Sequence, residues 1–218
     1  MSAPRDPLEI SPTLLLRAYA AGVFPMSDTA QSDEIFWVDP KTRGVIPLDA
    51  FHVSRSMRRL ARRGGFQVRI NSAFNATVSA CANRSETWIN DEIKSLYTTL
   101  HRMGYAHSVE VWSDGKMMGG LYGVSLGGAF FGESMFSIDP NASKIALIWL
   151  VARLRRGGYR LLDTQFVTDH LASLGAVEIQ REAYHQLLDA ALKCDADFLS
   201  LDVNASTDQI LQLSTQTS

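Results

Sequence analysis

The middle of the chain contains three closely spaced stretches of strand-forming sequence, at residues 107–112, 116–126 and 129–135. Short turns that contain glycine separate them, at residues 113–115 and 127–128. Connections of this length join strands that run antiparallel and lie side by side. The pattern therefore predicts a three-stranded antiparallel meander, and the other elements must pack around it.

The C-terminal third of the chain alternates helices and strands. These elements are predicted at residues 142–156 (helix), 159–166 (strand), 168–174 (helix), 176–180 (strand) and about 182–193 (helix). A meander followed by this alternation is typical of acyltransferase folds in which two strands of a mixed sheet separate to form a cleft. We therefore predict an α+β fold with a mixed, mostly antiparallel sheet that is flanked by helices.

The N-terminal half begins with a helix that Ser11 and Pro12 introduce and Gly22 ends, and a loop-rich stretch follows it. Further elements are predicted at residues 44–46 (strand), 52–65 (helix), 66–70 (strand), 72–82 (helix) and 90–104 (helix). The predicted segments are a small N-terminal domain (1–50), an acyltransferase-like catalytic domain (51–194) and a polar C-terminal tail (195–218). The tail contains no Lys or Arg, and we expect it to be weakly ordered.

Composition narrows the class of protein. The 218 residues include 21 Lys and Arg against 23 Asp and Glu, which gives a net charge of -2, and 46% of the chain is hydrophobic. No apolar run approaches the roughly 18 residues that a membrane span needs, and the first ten residues lack the pattern of a secretory signal. We therefore expect a cytoplasmic globular protein that does not contact a membrane. Over the whole chain, this balance argues against a nucleic-acid partner.

Common catalytic and metal-binding motifs are missing from the sequence. Cys81 and Cys194 lie far apart, so we expect two buried free thiols rather than a disulfide framework. The five histidines show no metal-ligand spacing, and the chain lacks a GxSxG elbow, an HExxH motif, a P-loop and a GxGxxG loop. No metal site is predicted, and any chemistry must rest on other polar residues.

One segment departs strongly from the neutral charge balance. The helix predicted to begin after Ser54 carries arginines at i, i+3, i+4, i+7 and i+8 spacing and no acidic residue. These arginines, which share one helical face, are Arg55, Arg58, Arg59, Arg62 and Arg63. A solvated basic face is one interpretation, but such runs usually include acids that moderate the repulsion. The segment therefore favours binding to a phosphate backbone.

Polar residues at two places in the predicted sheet are candidates for chemistry. Glu133 lies on an otherwise apolar strand, and Asp163 and Gln165 lie at the end of another. A salt-bridged core glutamate and groups that satisfy loop backbone remain alternatives. Trp37 and Trp88, each beside polar residues, are either core residues or platforms on which a base stacks.

Several motifs, taken in order, resemble the leucyl/phenylalanyl-tRNA–protein transferases of bacteria. The resemblance extends from the first helix to about residue 190. The motifs are Tyr19-Ala-Ala-Gly-Val-Phe-Pro25, His52-Val-Ser-Arg-Ser56, Thr87-Trp88-Ile89, Gly119-Gly-Leu-Tyr-Gly-Val124, Phe131-Gly-Glu-Ser-Met-Phe-Ser137, Ala142-Ser-Lys144, Asp163-Thr-Gln165 and Asp169-His-Leu-Ala-Ser-Leu-Gly-Ala176.

The resemblance implies transfer of Leu, Phe or Met from aminoacyl-tRNA to the α-amine of proteins with N-terminal Arg or Lys. The product would enter N-degron proteolysis. It further implies a GCN5-type N-acetyltransferase-like domain beside a small N-terminal domain, and no cofactor. We also expect a monomer. The alternatives are a coenzyme A-dependent N-acyltransferase and a non-enzymatic tRNA-binding module.

The resemblance also assigns roles to residues of this sequence. Glu133, Asp163 and Gln165 match polar residues around the aminoacyl ester and the incoming amine, with Asp163 orienting and polarising Gln165. Trp37 and Trp88 match the tryptophans at the terminal adenosine of the tRNA. The pocket for the transferred side chain would be formed by Leu121, Phe130, Met135, Leu147 and Leu150. Phe130 and Met135 lie on opposite faces of a regular strand, so a bulge near Gly132 or Glu133 is expected.

Overall fold

A computed structural model describes residues 10–27, 35–83, 87 and 89–215 of the chain. Its strands are β1 (Phe24–Ser27), β2 (Ile35–Val38), β3 (Thr42–Val45), β4 (Gln67–Ile70), β5 (Ala106–Ser113), β6 (Lys116–Leu126), β7 (Ala129–Ser137), β8 (Leu161–Gln165) and β9 (Val177–Gln180). Strands β1 and β2 form a small antiparallel sheet, and the others form a seven-stranded sheet in the order β4-β5-β6-β7-β8-β3-β9. The predicted meander is present as β5, β6 and β7.

The large sheet is mixed, because β7 and β8 run parallel while its other described pairs are antiparallel. The helices are α1 (Pro12–Ala20), α2 (Arg55–Arg63), α3 (Phe74–Ala82), α4 (Asp91–Arg102), α5 (Ala142–Arg156), α6 (Asp169–Ala172), α7 (Arg181–Leu192) and α8 (Thr207–Thr215). The predicted fold class is therefore confirmed.

Helices cover the sheet on both sides and create two hydrophobic cores. Helices α1, α3, α4 and α7 contribute to one core, and α2, α5 and α8 contribute to the other. Neighbouring strand residues divide between the cores, as Phe130 and Phe131 of β7 and Leu161 and Leu162 of β8 show. Most of α5 is buried, which explains why its apolar residues are not confined to one stripe.

Strand β3 joins the N-terminal part of the chain to the main sheet. It lies between β8 and β9 and pairs antiparallel with both, although it precedes them by more than a hundred residues. It begins and ends slightly earlier than the strand predicted at 44–46. The division into domains at residue 50 stays a prediction, and β3 lies before that boundary.

The expectation of a weakly ordered C-terminal tail is wrong. The segment contains α8 and places Phe198, Leu201, Ile210 and Leu211 in the core beneath α5. The buried guanidinium of Arg153 on α5 donates hydrogen bonds to the carbonyl oxygens of Phe198 and Leu201, both at 2.9 Å. A few large apolar side chains among many polar ones are enough to dock this segment.

The described residues show the state of the two cysteines, the character of the helices and the grouping of possible metal ligands. Cys81 and Cys194 are both free thiols, but only Cys81 is buried, because Cys194 follows the end of α7 and remains partly exposed. None of the helices in the described part of the chain has the length and apolar character needed to cross a bilayer. Within the same residues, His, Cys, Asp and Glu side chains form no group of three that could hold a metal ion.

Truncation of a buried α8 side chain tests whether the C-terminal segment belongs to the cooperative fold. Ile210 is 1% exposed, and we expect Ile210→Ala to lower the free energy of unfolding by about 3 kcal/mol through lost burial and a residual cavity. Denaturant-induced unfolding measures the change. Val203→Ala is the matched control, since Val203 is 66% exposed and its truncation should cost less than about 0.5 kcal/mol. Equal effects of the two substitutions would contradict the docking of this segment.

Candidate active site

The cleft in the sheet lies where β7 and β8 separate. The two strands pair only from Ala129↔Leu161 to Phe131↔Asp163, and β7 continues beyond that point. A bulge follows at once, because Tyr122↔Ser134 and Gly123↔Gly132 are successive pairs of β6 with β7 and leave Glu133 without a partner residue. The expected bulge is thus present, and it directs Glu133 to one face of the sheet while Met135 lies on the other.

Glu133 is buried and is held by three side chains from three elements. The Tyr19 hydroxyl of α1 donates to Oε1 at 2.6 Å, and the Tyr97 hydroxyl of α4 donates to Oε2 at 2.7 Å. The Gln165 amide at the end of β8 donates to Oε2 at 3.3 Å. The two tyrosine oxygens are 2.5 Å apart. The carboxyl group is therefore oriented by hydrogen bonds rather than by an ion pair, and the alternative of a salt-bridged core glutamate is wrong.

Burial raises the pKa of Glu133 to about 7. The hydroxyls of Tyr19 and Tyr97 lower it in part, and the charge of Asp163 raises it further. The pKa values of both tyrosines lie well above their ordinary value, first because they are buried and then because Glu133 is close. The pKa of Glu133 therefore lies close to neutral pH, while the tyrosines keep their protons there.

Asp163 forms a buried ion pair with Arg43, a residue of β3. Arg43 Nε donates to Oδ1 at 3.0 Å and Nη2 donates to Oδ2 at 2.7 Å, in the bidentate geometry that suits guanidinium and carboxylate. Tyr184 of α7 donates its hydroxyl to Oδ2 at 2.7 Å. The guanidinium also lies between the rings of Phe24 and Tyr184, at 4.4 and 4.6 Å from their centroids. Burial opposes the charge on Arg43, but its bonds to Asp163 outweigh burial and raise its pKa.

Gln165 has a backbone conformation that non-glycine residues rarely adopt, with φ at 63°. Its backbone N–H donates to Asp163 Oδ1 at 2.7 Å, which stabilises this conformation and leaves the side-chain amide directed at Glu133. Asp163 therefore acts on Gln165 through the backbone and is a positioning residue in this geometry.

An apolar cavity of about 320 Å³ opens beside these polar groups. Four of the five residues expected around the transferred side chain line it, namely Leu121, Met135, Leu147 and Leu150. Phe130 does not line it, because its ring lies in the core and stacks on Phe198 at 5.5 Å between centroids. Glu133 is also among the residues that line it, so the cavity lies beside both the apolar side chains and the residue that carries the buried carboxyl group.

The expected tRNA-binding residues are only partly described. Trp37 on β2 is 39% exposed, and Trp88 lies outside the described residues. Helix α2 begins after Ser54, whose hydroxyl accepts from the Met57 N–H, and Met57 and Ala61 form its buried face. The arginines on the opposite face are all exposed, namely Arg55, Arg58, Arg59, Arg62 and Arg63. Arg62 pairs with Asp208 of α8 at 2.9 Å, so part of this basic face contacts the C-terminal helix.

Four buried residues of the site were missed in the sequence analysis. The sequence patterns assign no role to any of them, namely Tyr19, Arg43, Tyr97 and Tyr184. In the sequence, Arg43 stands out only as a single cation next to a short predicted strand. Spacing along the chain does not show that its partner is the distant Asp163.

A solved structure shares the overall fold of this chain. A crystal structure of FemX superimposes on 79% of this chain and 70% of its own chain, with a TM-score of 0.50 and 14% sequence identity. At that identity, the match concerns the fold alone.

Sequence comparison is more specific. Relatives named leucyl/phenylalanyl-tRNA–protein transferase occur in Rhizorhabdus wittichii (58% identity over 84% of this chain and 75% of the relative) and Dinoroseobacter shibae (53% over 95% and 93%). The relative in Ruegeria pomeroyi is 53% identical over 97% of this chain and all of its own length. Residues 9–41 match the family model described as leucyl/phenylalanyl-tRNA protein transferase N-terminal domain, and residues 45–189 match the model described as leucyl/phenylalanyl-tRNA protein transferase. The chain therefore belongs to the leucyl/phenylalanyl-tRNA protein transferase family.

Proposed function

We propose that this protein transfers Leu, Phe or Met from aminoacyl-tRNA to the α-amine of proteins that begin with Arg or Lys, which directs them to N-degron proteolysis. The observation that supports the proposal is one cavity whose lining combines apolar side chains with Glu133, a residue whose carboxyl group is held by two tyrosines. The apolar wall suits the transferred side chain, and the carboxyl group suits a cationic acceptor.

The protein does not need to activate the amino acid, because an aminoacyl ester is already reactive toward an amine. The enzyme must place a neutral amine beside the ester carbonyl and stabilise the charge that develops on the carbonyl oxygen. Glu133 and Gln165 are the polar groups that would contact the reactants, and Asp163 would fix Gln165 through its backbone N–H. Gln165 is not basic enough to accept the amine proton by itself.

The wall of the cavity explains the proposed choice of amino acid. Leucine and methionine side chains from β6, β7 and α5 form it, and such flexible or γ-branched groups accommodate Leu, Phe and Met. A β-branched amino acid would place an extra methyl group close to its Cα carbon, and the shape of such a wall would disfavour it. Phe130 is not part of this wall, because its ring stacks on Phe198 in the core.

The tRNA would bind across the exposed arginines of α2, which contact its phosphates, with the terminal adenosine stacked on Trp37 and Trp88. A tRNA-binding surface that is confined to α2 is consistent with the charge of the chain, because the net charge of the whole protein is only -2.

We also propose that the protein acts as a cytoplasmic monomer, and that residues 1–50, 51–194 and 195–218 are its structural segments.

Contacts at the start of α5 favour this reaction over coenzyme A-dependent transfer. The N–H groups of Asn141 and Ala142 bind the side chain and the carbonyl of Asp139, and the Ser143 N–H binds the Ser137 hydroxyl. A pyrophosphate at this helix N-terminus would need these donors and would meet the carboxylate of Asp139. The loop also lacks the glycines and cations of a pyrophosphate-binding loop.

A transfer assay tests the proposed function directly. With radiolabelled Leu or Phe on tRNA, we expect label to appear on a peptide that begins with Arg, and little on a matched peptide that begins with Asp. Transfer from acetyl-CoA instead would support the coenzyme A alternative, and tRNA binding without any transfer would support a binding module.

A substitution in the cavity wall tests the location of the side-chain pocket. Met135→Phe adds a rigid ring to the wall, and we expect it to reduce kcat/KM for transfer of Phe by about tenfold and transfer of Leu by less. Met103→Phe is the control, since Met103 is exposed after α4 and should leave both transfers unchanged. An equal loss for both amino acids in the Met135 variant would argue against this pocket.

Neutral substitutions on α2 test the tRNA surface. Each of Arg55→Gln and Arg59→Gln should weaken aminoacyl-tRNA binding and reduce the slope of log affinity against log salt concentration by roughly one, because each removes one phosphate contact. Arg102→Gln at the end of α4 is the control, since this exposed arginine lies on the other side of the sheet. Unchanged salt slopes in the α2 variants would show that these arginines form a solvated face.

A further inference from the structure

Three oxygen-to-oxygen contacts connect Tyr19, Tyr97 and Glu133 in a closed ring. They measure 2.6 Å from Tyr19 to Oε1, 2.7 Å from Tyr97 to Oε2 and 2.5 Å between the two hydroxyls. Each contact is short enough for a hydrogen bond, and a bond needs one hydrogen. The two hydroxyls supply only two hydrogens, so the ring is one proton short when Glu133 is ionised.

One added proton on Glu133 completes the ring. The carboxyl group then donates to Tyr19, Tyr19 donates to Tyr97, and Tyr97 donates back to the second carboxyl oxygen. In the ionised state, the two hydroxyls instead donate to the carboxylate in charge-assisted bonds. The buried carboxyl group thus keeps hydrogen-bond partners in both protonation states.

We propose that Glu133 is the group that takes the proton from the α-ammonium of the acceptor, and that Tyr19 and Tyr97 are positioning residues that hold it ready to do so. This inference rests on the proposed aminoacyl transfer and identifies its proton acceptor. An ionised carboxylate offers about four lone-pair positions, and Tyr19, Tyr97 and Gln165 use three of them. One position remains for a further donor, and Glu133 is among the residues that line the cavity.

The protons of the reaction balance with this assignment. The acceptor binds as an ammonium ion with three hydrogens and gives one to Glu133, which leaves a neutral amine to attack the ester carbonyl. As the new C–N bond forms and the C–O bond to the ribose breaks, the second hydrogen ends on the ribose oxygen. The third stays on the amide nitrogen. Glu133 returns its proton to solvent after the product leaves.

The charged and titratable groups around Glu133 are compatible with proton uptake from the acceptor. Those on the neighbouring elements are Tyr19 (α1), Arg43 (β3), Tyr97 (α4), Tyr122 (β6), Asp163 (β8) and Tyr184 (α7), with His170 (α6) on the same cavity. The charges of Arg43 and Asp163 are paired with each other, and the tyrosines next to Glu133 keep their protons. An α-amine has a pKa of roughly 8, so its proton passes to a carboxylate with a pKa of about 7 at small cost.

Single-turnover transfer from Phe-tRNA to an Arg-starting peptide, measured from pH 6 to 8.5, tests the assignment. In the wild-type protein, the rate constant should rise with pH and level off above the pKa of Glu133, about 7. Glu133→Gln keeps the shape but accepts no proton, so its rate should be at least tenfold lower at pH 7. That deficit should shrink at higher pH, where solvent supplies the free amine. A deficit that is the same at every pH would overturn the proposal.

The positioning role of Tyr19 and Tyr97 is tested by the pH at which the plot of single-turnover rate constant against pH has its inflection. Tyr19→Phe and Tyr97→Phe each remove a donor to the ionised carboxylate, so the inflection should move upward by about one pH unit. The rate would then fall roughly fivefold at pH 7 and approach the wild-type rate at pH 8.5. Tyr105→Phe is the control, since Tyr105 is exposed and should not move the inflection. A uniform loss of rate without a shift would show a structural role only.

A second measurement does not depend on the variants folding. Infrared spectra of the wild-type protein with ¹³C-labelled glutamate should show one protonated carboxyl band at pH 6 that disappears by pH 8, since ordinary glutamates ionise near 4.3. Absence of that band would contradict the ring. Absence of any transfer by the wild-type protein at pH 8 would instead contradict the proposed function, so the two failures are distinguishable.

Discussion

The ion pair between Arg43 and Asp163 is the interaction on which the rest of the site depends. It joins β3 to β8, and its other hydrogen bonds extend to the Gly22 carbonyl and the Tyr184 hydroxyl. Leaving either charge buried without the other costs several kcal/mol, so these elements must come together for either residue to be placed. Asp163 can fix the strained backbone of Gln165 because Arg43 first fixes Asp163.

The bulge in β7 places a polar and an apolar side chain of the same strand beside one cavity. A regular strand would place Glu133 and Met135 on the same face. The extra residue instead sends the carboxyl group toward α1 and α4 and the thioether toward α5, while the separation of β7 from β8 connects the two sides. Polar chemistry and apolar recognition are thus adjacent without competing for one surface.

The parts of the fold that periodic patterns determine were predictable from the sequence. The meander, the basic helix and the alternation after residue 142 follow from local spacing, and the resemblance pointed to Glu133, Asp163 and Gln165. The partners of those residues were not predictable, because Arg43, Tyr19 and Tyr97 meet them only through tertiary pairing. The C-terminal segment was misjudged because average polarity hid a few deeply buried apolar residues, such as Phe198 and Ile210.

The contribution of Tyr19 to the carboxyl ring has a consequence for biosynthesis. The ring includes Tyr19 of the first helix, while Tyr184, which donates to the Asp163 carboxylate of the neighbouring ion pair, belongs to α7. A nascent chain emerging from the ribosome therefore holds one half of the site long before the other half is synthesised. The site could be completed, and charged tRNA consumed, only after α7 has emerged.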